Sequence, residues 1–417
     1  MKLKLHWQIL IGLLLGITLG LISRPLGFQD FVVDQISILG TIFLRALRMI
    51  IVPLIFSSII SGVTSIQSAE SFGRLSLKTI MYYVTTSLLA IVVGLFLVNF
   101  FEPGVKPGLK DLLGFEKMPS ELEATVQNLD ETLLGIIPVN PIESMARGDM
   151  LPIIFFALFF GFFITRAPEP YRGQLTSFFQ GIFEVMMRLT QFIIKFTPIG
   201  VFALMAKIVA QTGPEVFGPL GNYMLVVMSG LLFHAFITLP TLLIIVGRIN
   251  PMQHFKAMSG ALMTAFSTAS SSATLPLTMD AMENNAGVSN KVTSFVLPLG
   301  ATINMDGTAL YECVAVMFIA QVYGIPLSIT SQFIVVLTAL LASIGAAGIP
   351  MAGLVMMAII LRAVGLPLEG VGLILAVDRI LDMMRTSVNV WSDSCGTVVI
   401  ARTEGETPFT MVGQPAE

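Results

Sequence analysis

An all-α polytopic membrane protein with an internal repeat is the fold class this sequence predicts, on three observations. The 417 residues are 55% hydrophobic and only 12% charged, with mean hydropathy +0.86, whereas soluble domains carry about 25% charged residues. Apolar runs long enough to cross a bilayer recur from the N-terminus to about Ile400. In the last third, two apolar segments are interrupted by small residues and proline, and each precedes a span that bears polar and charged groups.

In chain order, spans are expected near 8–24, 32–67, 76–101, 150–168, 178–210 and 217–247, then a denser region to about 404. Lys2 and Lys4 before the apolar run 9–22 imitate a secretory leader. No small-x-small cleavage site follows, and further membrane segments do, so an uncleaved first helix is expected. Lys2 and Lys4, Arg74 and Lys78, Arg166 and Arg172, and Arg248 and Lys256 fall at alternate span ends. Those ends are expected to be cytoplasmic, both termini included. Residues 102–149 lie on the opposite side and are acid-rich (Glu102, Asp111, Glu116, Glu121, Glu123, Asp130, Glu131). The net charge of −3 gives no reason to invoke nucleic acid. Cys313 and Cys395 lack metal-ligand or CxxC spacing and read as buried free thiols.

The two interruptions are Ser-Thr-Ala-Ser-Ser-Ser-Ala-Thr-Leu-Pro at 267–276 and Ser-Ile-Gly-Ala-Ala-Gly-Ile-Pro at 343–350. Their flanking arms are too short to span twice, which suits re-entrant hairpins with tips at mid-membrane. Irregular backbone survives at that depth only inside protein or against a water-filled cavity. Asn304-Met305-Asp306-Gly307-Thr308 follows the first, and the stripe Asp382, Arg385, Thr386, Asn389 and Asp393 follows the second. Hairpin plus polar helix, twice over, is the pattern of a transporter built around a central site.

Offsets of three, four, seven and eleven residues from Asp382 place the stripe on one helix face. A charge near the bilayer centre costs roughly 2.5–3.5 kcal/mol even on the lenient scale, so such groups mark a pathway or binding site. Arg385 offers a planar fork for a carboxylate, Asp382 can neutralise an ammonium, and Thr386 and Asn389 can bond a second carboxylate. An Asp382–Arg385 pair that merely cancels buried charge would leave the other three unexplained.

Around Asn304 and Asp306, Gly307 is expected to let the helix unwind and free carbonyls. Oxygen ligands with a carboxylate suit a hard cation such as Na⁺; a plain kink is the bland alternative. Ser270-Ser271-Ser272 at a hairpin tip would present helix N-terminal N–H groups to an anion, or would be simply a flexible turn. Gly345, Gly348 and Gly353 suit a mobile lid or close helix packing. On composition alone, the hydroxyls of Tyr82-Tyr83-Val84-Thr85-Thr86-Ser87 read as back-bonded or interfacial, and His234 as a satisfied core histidine.

At these motifs the chain resembles the dicarboxylate/amino acid:cation symporter family, which includes neuronal glutamate transporters and bacterial and archaeal aspartate/glutamate carriers. The likeness spans essentially the whole chain and is strongest over 266–402. It rests on Ser-Ser-Ser-Ala-Thr-Leu-Pro (270–276), Gly-Ala-Thr-Ile-Asn-Met-Asp-Gly-Thr-Ala-Leu-Tyr (300–311), Gly-Ala-Ala-Gly-Ile-Pro (345–350) and the stripe from Asp382 to Asp393. The resemblance implies eight transmembrane helices, two re-entrant hairpins, inverted repeats, a homotrimer in the cell membrane and an elevator mechanism. Residues 1–75 and 110–220 would form the scaffold, and 76–109 and 221–417 the moving transport domain.

By the same resemblance, Arg385 and Thr308 would hold the cargo's side-chain carboxylate and Asp382 its amino group. Asn389, Thr386 and the Ser271 backbone would hold the α-carboxylate, with Ile349 on the outer hairpin closing over it; Ser272 and Gly348 complete the substrate-binding set. One sodium would use Gly300, Asn304, Asn389 and Asp393; a second Tyr83, Thr86, Ser87, Asn304 and Asp306. A third would use backbone oxygens of Thr302, Met305, Ser343, Ile344 and Ala346. Family members usually supply a further arginine at the first hairpin tip or just after the aspartate of the last helix; Ala269 and Met383 stand there. Ala346 stands where some archaeal members have threonine.

The expected function is therefore Na⁺-driven uptake of L-aspartate and/or L-glutamate, with membrane lipid as surroundings and no organic cofactor. A C4-dicarboxylate carrier would have no need of Asp382, a neutral amino-acid carrier none of Arg385, and proton coupling is the alternative to sodium. An enzyme is not expected: no general base is placed beside Ser271, and Asp306 with Asp393 matches no shared-proton dyad. A channel reading would require steady ion current without substrate.

Overall fold

The structure is a computed structural model that describes residues 5–65, 73–105, 137–148, 150–345 and 352–409. Much of the acidic segment 102–149, and Ala346, Gly348 and Ile349 of the second hairpin, lie outside the described residues. Among the described residues all regular structure is helical.

The first half contains α1 (Leu5–Ser23), α2 (Ser37–Ser65), α3 (Gly73–Phe101), the short α4 (Pro141–Arg147), α5 (Met150–Arg166), α6 (Tyr171–Ile194) and α7 (Thr197–Thr212). The helix α1 lies along α7, and α2 packs on α5, α6 and α7. Glycine makes the first contact close: a Cβ on Gly20 would fall 2.8 Å from the Ala206 carbonyl oxygen. The single span expected over 178–210 is instead two helices, α6 and α7, bent by 53°. Pro198 opens α7, and its missing N–H leaves the preceding turn without an intrahelical donor.

The helix α8 (Phe217–Phe233) continues through π-helical turns at His234–Thr238 and Leu243–Gly247. In the first of these Leu239 N–H reaches back to the His234 carbonyl. The same register would pair the Ala235 carbonyl with Pro240, which has no N–H. Trp391 fills the gap, donating its indole N–H to Ala235 O at 3.0 Å.

The second half comprises α9 (Pro251–Thr268), α10 (Ser271–Asp280), α11 (Asn290–Ile303), α12 (Asp306–Val322), α13 (Ile329–Gly345), α14 (Ala352–Ala363) and α15 (Val371–Thr403). Around the first small-residue interruption α9 and α10 pack together as a helical hairpin, and α13 and α14, which flank the undescribed residues 346–351, also pack on each other. Both α11 and α12 pack on α15, and α12 also packs along α3. The helix α12 is sheathed on all sides: from Asp306 to Val322 every residue but Gln321 is buried.

Among the described residues Leu77–Phe101, Phe217–Gly247 and Asn290–Val322 are each long and apolar enough to cross a membrane. The bent pair Tyr171–Ile194 and Thr197–Glu215 qualifies jointly. Trp7–Ser23, Val52–Thr64, Pro152–Arg166 and Ile329–Ser343 are shorter apolar helices.

Candidate functional site

The polar groups of the last helix gather along the middle of α15, where the break between α11 and α12 packs against it. Asp382, Arg385, Thr386, Asn389 and Asp393 are all buried on α15, as the helical spacing required.

Arg385 is 2% exposed in its side chain, with Nη2 2.8 Å from Asp382 Oδ1 and Nη1 3.2 Å from Asp378 Oδ1. Its guanidinium carbon lies 4.3 Å from the Tyr311 ring centroid, a stacked cation–π arrangement. Tyr311 in turn donates its hydroxyl to Asp378 Oδ1 at 2.7 Å. Gly353 makes room for this head group, since a Cβ there would fall 2.8 Å from Nη1. The intrahelical pair is therefore real, but it belongs to a wider arrangement in which Asp382 Oδ2 has no hydrogen-bond partner. Arg379 Nη1 comes only to 3.8 Å of that oxygen.

Asn389 faces α12: its Oδ1 accepts from Gly307 N at 2.8 Å and its Nδ2 donates to Thr308 Oγ1 at 3.1 Å. The helix breaks at Asn304 (φ −112°, ψ 91°) and Met305 (φ −122°, ψ 61°), not at Gly307. Gly307 sits in the first turn of α12, where a Cβ would come 2.6 Å from the Arg385 carbonyl oxygen. Its lack of a side chain serves close approach between α12 and α15, which corrects the expectation that it unwinds the helix.

At the first hairpin tip, Ala269 in the left-handed region (φ 50°) ends α9. Ser270 caps α10, its Oγ accepting from Ala273 N at 3.2 Å. Ser271 is buried and Ser272 exposed in the first turn of α10, where backbone N–H groups lack intrahelical acceptors. The arm α10 also packs on α15.

A second constellation surrounds the break. Asn304 Nδ2 donates to Asp393 Oδ1 at 2.8 Å and to Ser392 Oγ at 3.1 Å. Asp306, fully buried, accepts from Ser87 Oγ at 2.6 Å, from Ser392 Oγ at 2.6 Å, and lies 3.1 Å from His234 Nε2. Thr86 Oγ1 stands 3.5 Å from Asn304 Oδ1, and the Tyr83 hydroxyl donates to Val296 O at 2.8 Å. Gly300 belongs here for steric reasons: a Cβ would fall 2.5 Å from Asp393 Oδ1 and 2.6 Å from the Tyr83 hydroxyl. Tyr83, Thr86 and Ser87 are thus drawn into the polar cluster rather than being merely back-bonded or interfacial.

Of the third predicted oxygen set, Thr302 lies in the last turn of α11, Met305 at the break, and Ser343 and Ile344 in the last turn of α13. Ser343 shares with Tyr83, Ser87 and Ile303 a cavity of about 300 Å³. Among the described residues no cluster of three or more His, Cys, Asp or Glu is arranged to hold a metal. The donors at the break are instead amide, hydroxyl and carboxylate oxygens, the chemistry of a hard cation.

Sequence reasoning missed four participants. Asp378 carried a signal, four residues before Asp382 and seven before Arg385 on the same stripe. Tyr311 lies one turn after Gly307, while Ser392 had no mark beyond its neighbour Asp393. Glu312 is buried with neither carboxyl oxygen hydrogen-bonded. His234, read as a core histidine, is buried but has its Nε2 on Asp306 and no partner for Nδ1.

Comparison with known proteins decides the family. Residues 5–403 match the model of the sodium:dicarboxylate symporter family. The chain belongs to that family. A "Proton/sodium-glutamate symport protein" of Geobacillus stearothermophilus is 39% identical over 410 residues, covering 97% of this chain and 96% of the relative. The "Proton/glutamate-aspartate symporter" of Escherichia coli (strain K12) is 37% identical over 410 residues, covering 97% and 93%. "Excitatory amino acid transporter 3" of Mus musculus is 38% identical over 456 residues, covering 96% and 86%. Two buried polar clusters thus adjoin in this symporter-family chain, one charged around Arg385 and the other rich in oxygens around Asn304.

Proposed function

We propose that this chain is a secondary active transporter that couples inward movement of Na⁺ to uptake of L-aspartate and/or L-glutamate. The observation that carries the reading is the buried pairing of Arg385 with Asp382 and Asp378, beside Thr308 and Asn389. A cargo with one ammonium and two carboxylates can replace each of those internal partners in kind. Its side-chain carboxylate would take the Arg385 fork with Thr308. Its amino group would take Asp382, and its α-carboxylate Asn389, Thr386 and the N–H groups of Ser271 and Ser272. The relatives' names, which specify glutamate and aspartate, support this choice.

Sodium would travel at the oxygen sets around Asn304. Gly300, Asn304, Asn389 and Asp393 would hold one ion, and Tyr83, Thr86, Ser87, Asn304 and Asp306 another. The backbone of Thr302, Met305, Ser343, Ile344 and Ala346 would hold the third. If two net positive charges cross per cargo, each 100 mV contributes roughly 4.6 kcal/mol.

The same reading includes a homotrimer in the cell membrane, eight spans and two re-entrant hairpins, with both termini cytoplasmic. Residues 76–109 and 221–417 would move as an elevator against a scaffold of 1–75 and 110–220, with Gly348 and Ile349 closing over the cargo. It is supported by family membership, by the packed helix pairs α9–α10 and α13–α14 and by the helix break beside the polar clusters.

A second reading replaces Na⁺ by H⁺. It is favoured by the relatives named as proton symporters and by Glu312, a buried carboxyl without hydrogen-bond partners. Calorimetric titration of the purified protein with L-aspartate, in NaCl and in choline chloride, tests the primary reading. Binding is expected in sodium alone; equal binding in choline would move the coupling to protons.

A further inference from the structure

On the far side of α15 from the charged stripe, a groove of about 770 Å³ runs between the α8 region, α9 and α15. Its walls are almost wholly apolar, with Leu231, Phe255, Leu262, Phe266, Val388 and Trp391 among them. The few polar groups in the wall are already engaged. Ser259, Ser267 and Ser387 donate their hydroxyls to the carbonyls of Lys256, Met263 and Met383 at 3.0, 2.8 and 3.1 Å. The Trp391 indole N–H is spent on Ala235. Such a groove offers water no unsatisfied partner and stays dry.

Its shape and its charged end indicate the occupant. On α9 the lining runs from Pro251 to Ser267, which at the helical rise is about 24 Å, long enough for a chain that reaches through one leaflet of about 15 Å. At the Pro251 end stand two exposed cations, Arg248 just before α9 and Lys256 in its second turn. Lys256 lies one turn from Met252 and three residues from Ser259, both in the wall. Among the described residues neither cation is paired with a carboxylate.

We propose that this groove holds an acyl chain of an anionic membrane phospholipid, with Arg248 and Lys256 meeting the headgroup phosphate. Basic residues at a membrane surface attract anionic lipid, and the dry groove accepts the chain that follows. The bound chain would press α9 against α15. The helix α9 runs directly into the hairpin turn at Ala269 and Ser270, and the wall residues Met384, Ser387 and Val388 alternate along α15 with Arg385, Thr386 and Asn389. Occupancy would therefore set how freely the first hairpin moves relative to the stripe. The inference concerns the lipid contact and does not depend on the cargo or its co-ion.

The chain has two tryptophans, so Trp7→Phe leaves Trp391, in the groove wall, as the sole indole. That variant is reconstituted in vesicles of brominated-acyl phosphatidylglycerol or brominated-acyl phosphatidylcholine, and the emission is compared. Quenching at least twofold stronger with the brominated phosphatidylglycerol is expected, and Arg248→Gln with Lys256→Gln should bring the two lipids level. Ser259→Phe, which fills the groove, should restore emission at unchanged helicity; Met384→Phe fills it from the α15 side should the first variant fail to fold. No quenching by either lipid, or quenching by aqueous iodide instead, would overturn the acyl-chain assignment. Equal quenching by both headgroups would overturn the anionic preference. Quenching that is lost as protein density in the vesicle rises would assign the groove to a second copy of the chain.

Discussion

Nη2 of Arg385 lies 2.8 Å from Oδ1 of Asp382, so the groups proposed to hold the two ends of the cargo are paired with each other. Cargo binding is then an exchange: an incoming carboxylate takes the guanidinium as an incoming ammonium takes the aspartate. Removing one partner of a buried, hydrogen-bonded charge pair costs about 2–5 kcal/mol, a factor of ~30 or more in affinity. Arg385→Ala is expected to abolish measurable L-aspartate binding by calorimetry. Retained micromolar affinity would contradict its assigned role.

The same exchange makes Asp382 the test of amino-acid against dicarboxylate selectivity. Succinate brings no ammonium to release Asp382 from its arginine. In competition uptake assays, Asp382→Asn is expected to weaken L-aspartate far more than succinate, and equal losses would contradict the ammonium assignment.

Asp378 holds Arg385 from the other side, its Oδ1 shared between Nη1 at 3.2 Å and the Tyr311 hydroxyl at 2.7 Å. Asp378→Asn keeps the shape but removes the charge opposite a buried cation, a loss of about 3–5 kcal/mol where no other partner remains. Because Asp382 stays paired with Arg385, the loss should fall below that range. A lowered melting temperature with roughly tenfold weaker aspartate binding is expected, measured by thermal denaturation and calorimetry.

At Gly300 an added methyl would meet Asp393 Oδ1 at 2.5 Å and the Tyr83 hydroxyl at 2.6 Å. Overpacking of this kind typically costs about 1–3 kcal/mol. Gly300→Ala is expected to raise the Na⁺ concentration for half-maximal uptake about tenfold or more. An unchanged Na⁺ dependence would remove Gly300, Tyr83 and Asp393 from the ion path.

Just past the end of α15, Glu404 receives Arg74 at 2.9 Å and Lys78 from α3. The Arg74 hydrogen bond first, then that of Lys78, holds its carboxyl down at about 2, below the ordinary glutamate value of about 4.3. A lowered value in the folded protein means that the clamp stabilises above the unfolded value and is lost as pH falls from about 4 toward 2. Glu404→Gln should therefore lower the melting temperature slightly at pH 7 and converge with the parent near pH 2. Because Arg74 is largely exposed, the difference should shrink in high salt.

The charged stripe and the first hairpin turn, at Ala269 and Ser270, were legible because helical period and small-residue interruptions are local signals. Tyr83, Thr86 and Ser87 were not legible as site residues from composition. Ser87 reaches Asp306 across 219 positions of sequence, and only the packing of α3 on α12 brings them together. His234 and Ser392 were hidden for the same reason. Gly307 was misread because a glycine beside a polar motif suggests unwinding, whereas its neighbour across the helix interface is the Arg385 backbone. The α6–α7 bend was written in Pro198, but an apolar run masked it.

Uptake of radiolabelled L-aspartate into proteoliposomes tests the central claim most directly, with an inward Na⁺ gradient against choline, in the presence of unlabelled glutamate or succinate. The account predicts accumulation only with the Na⁺ gradient, blocked by glutamate and not by succinate. Accumulation that persists in choline and follows an imposed pH gradient would contradict sodium coupling; transport of succinate without aspartate would contradict the amino-acid cargo.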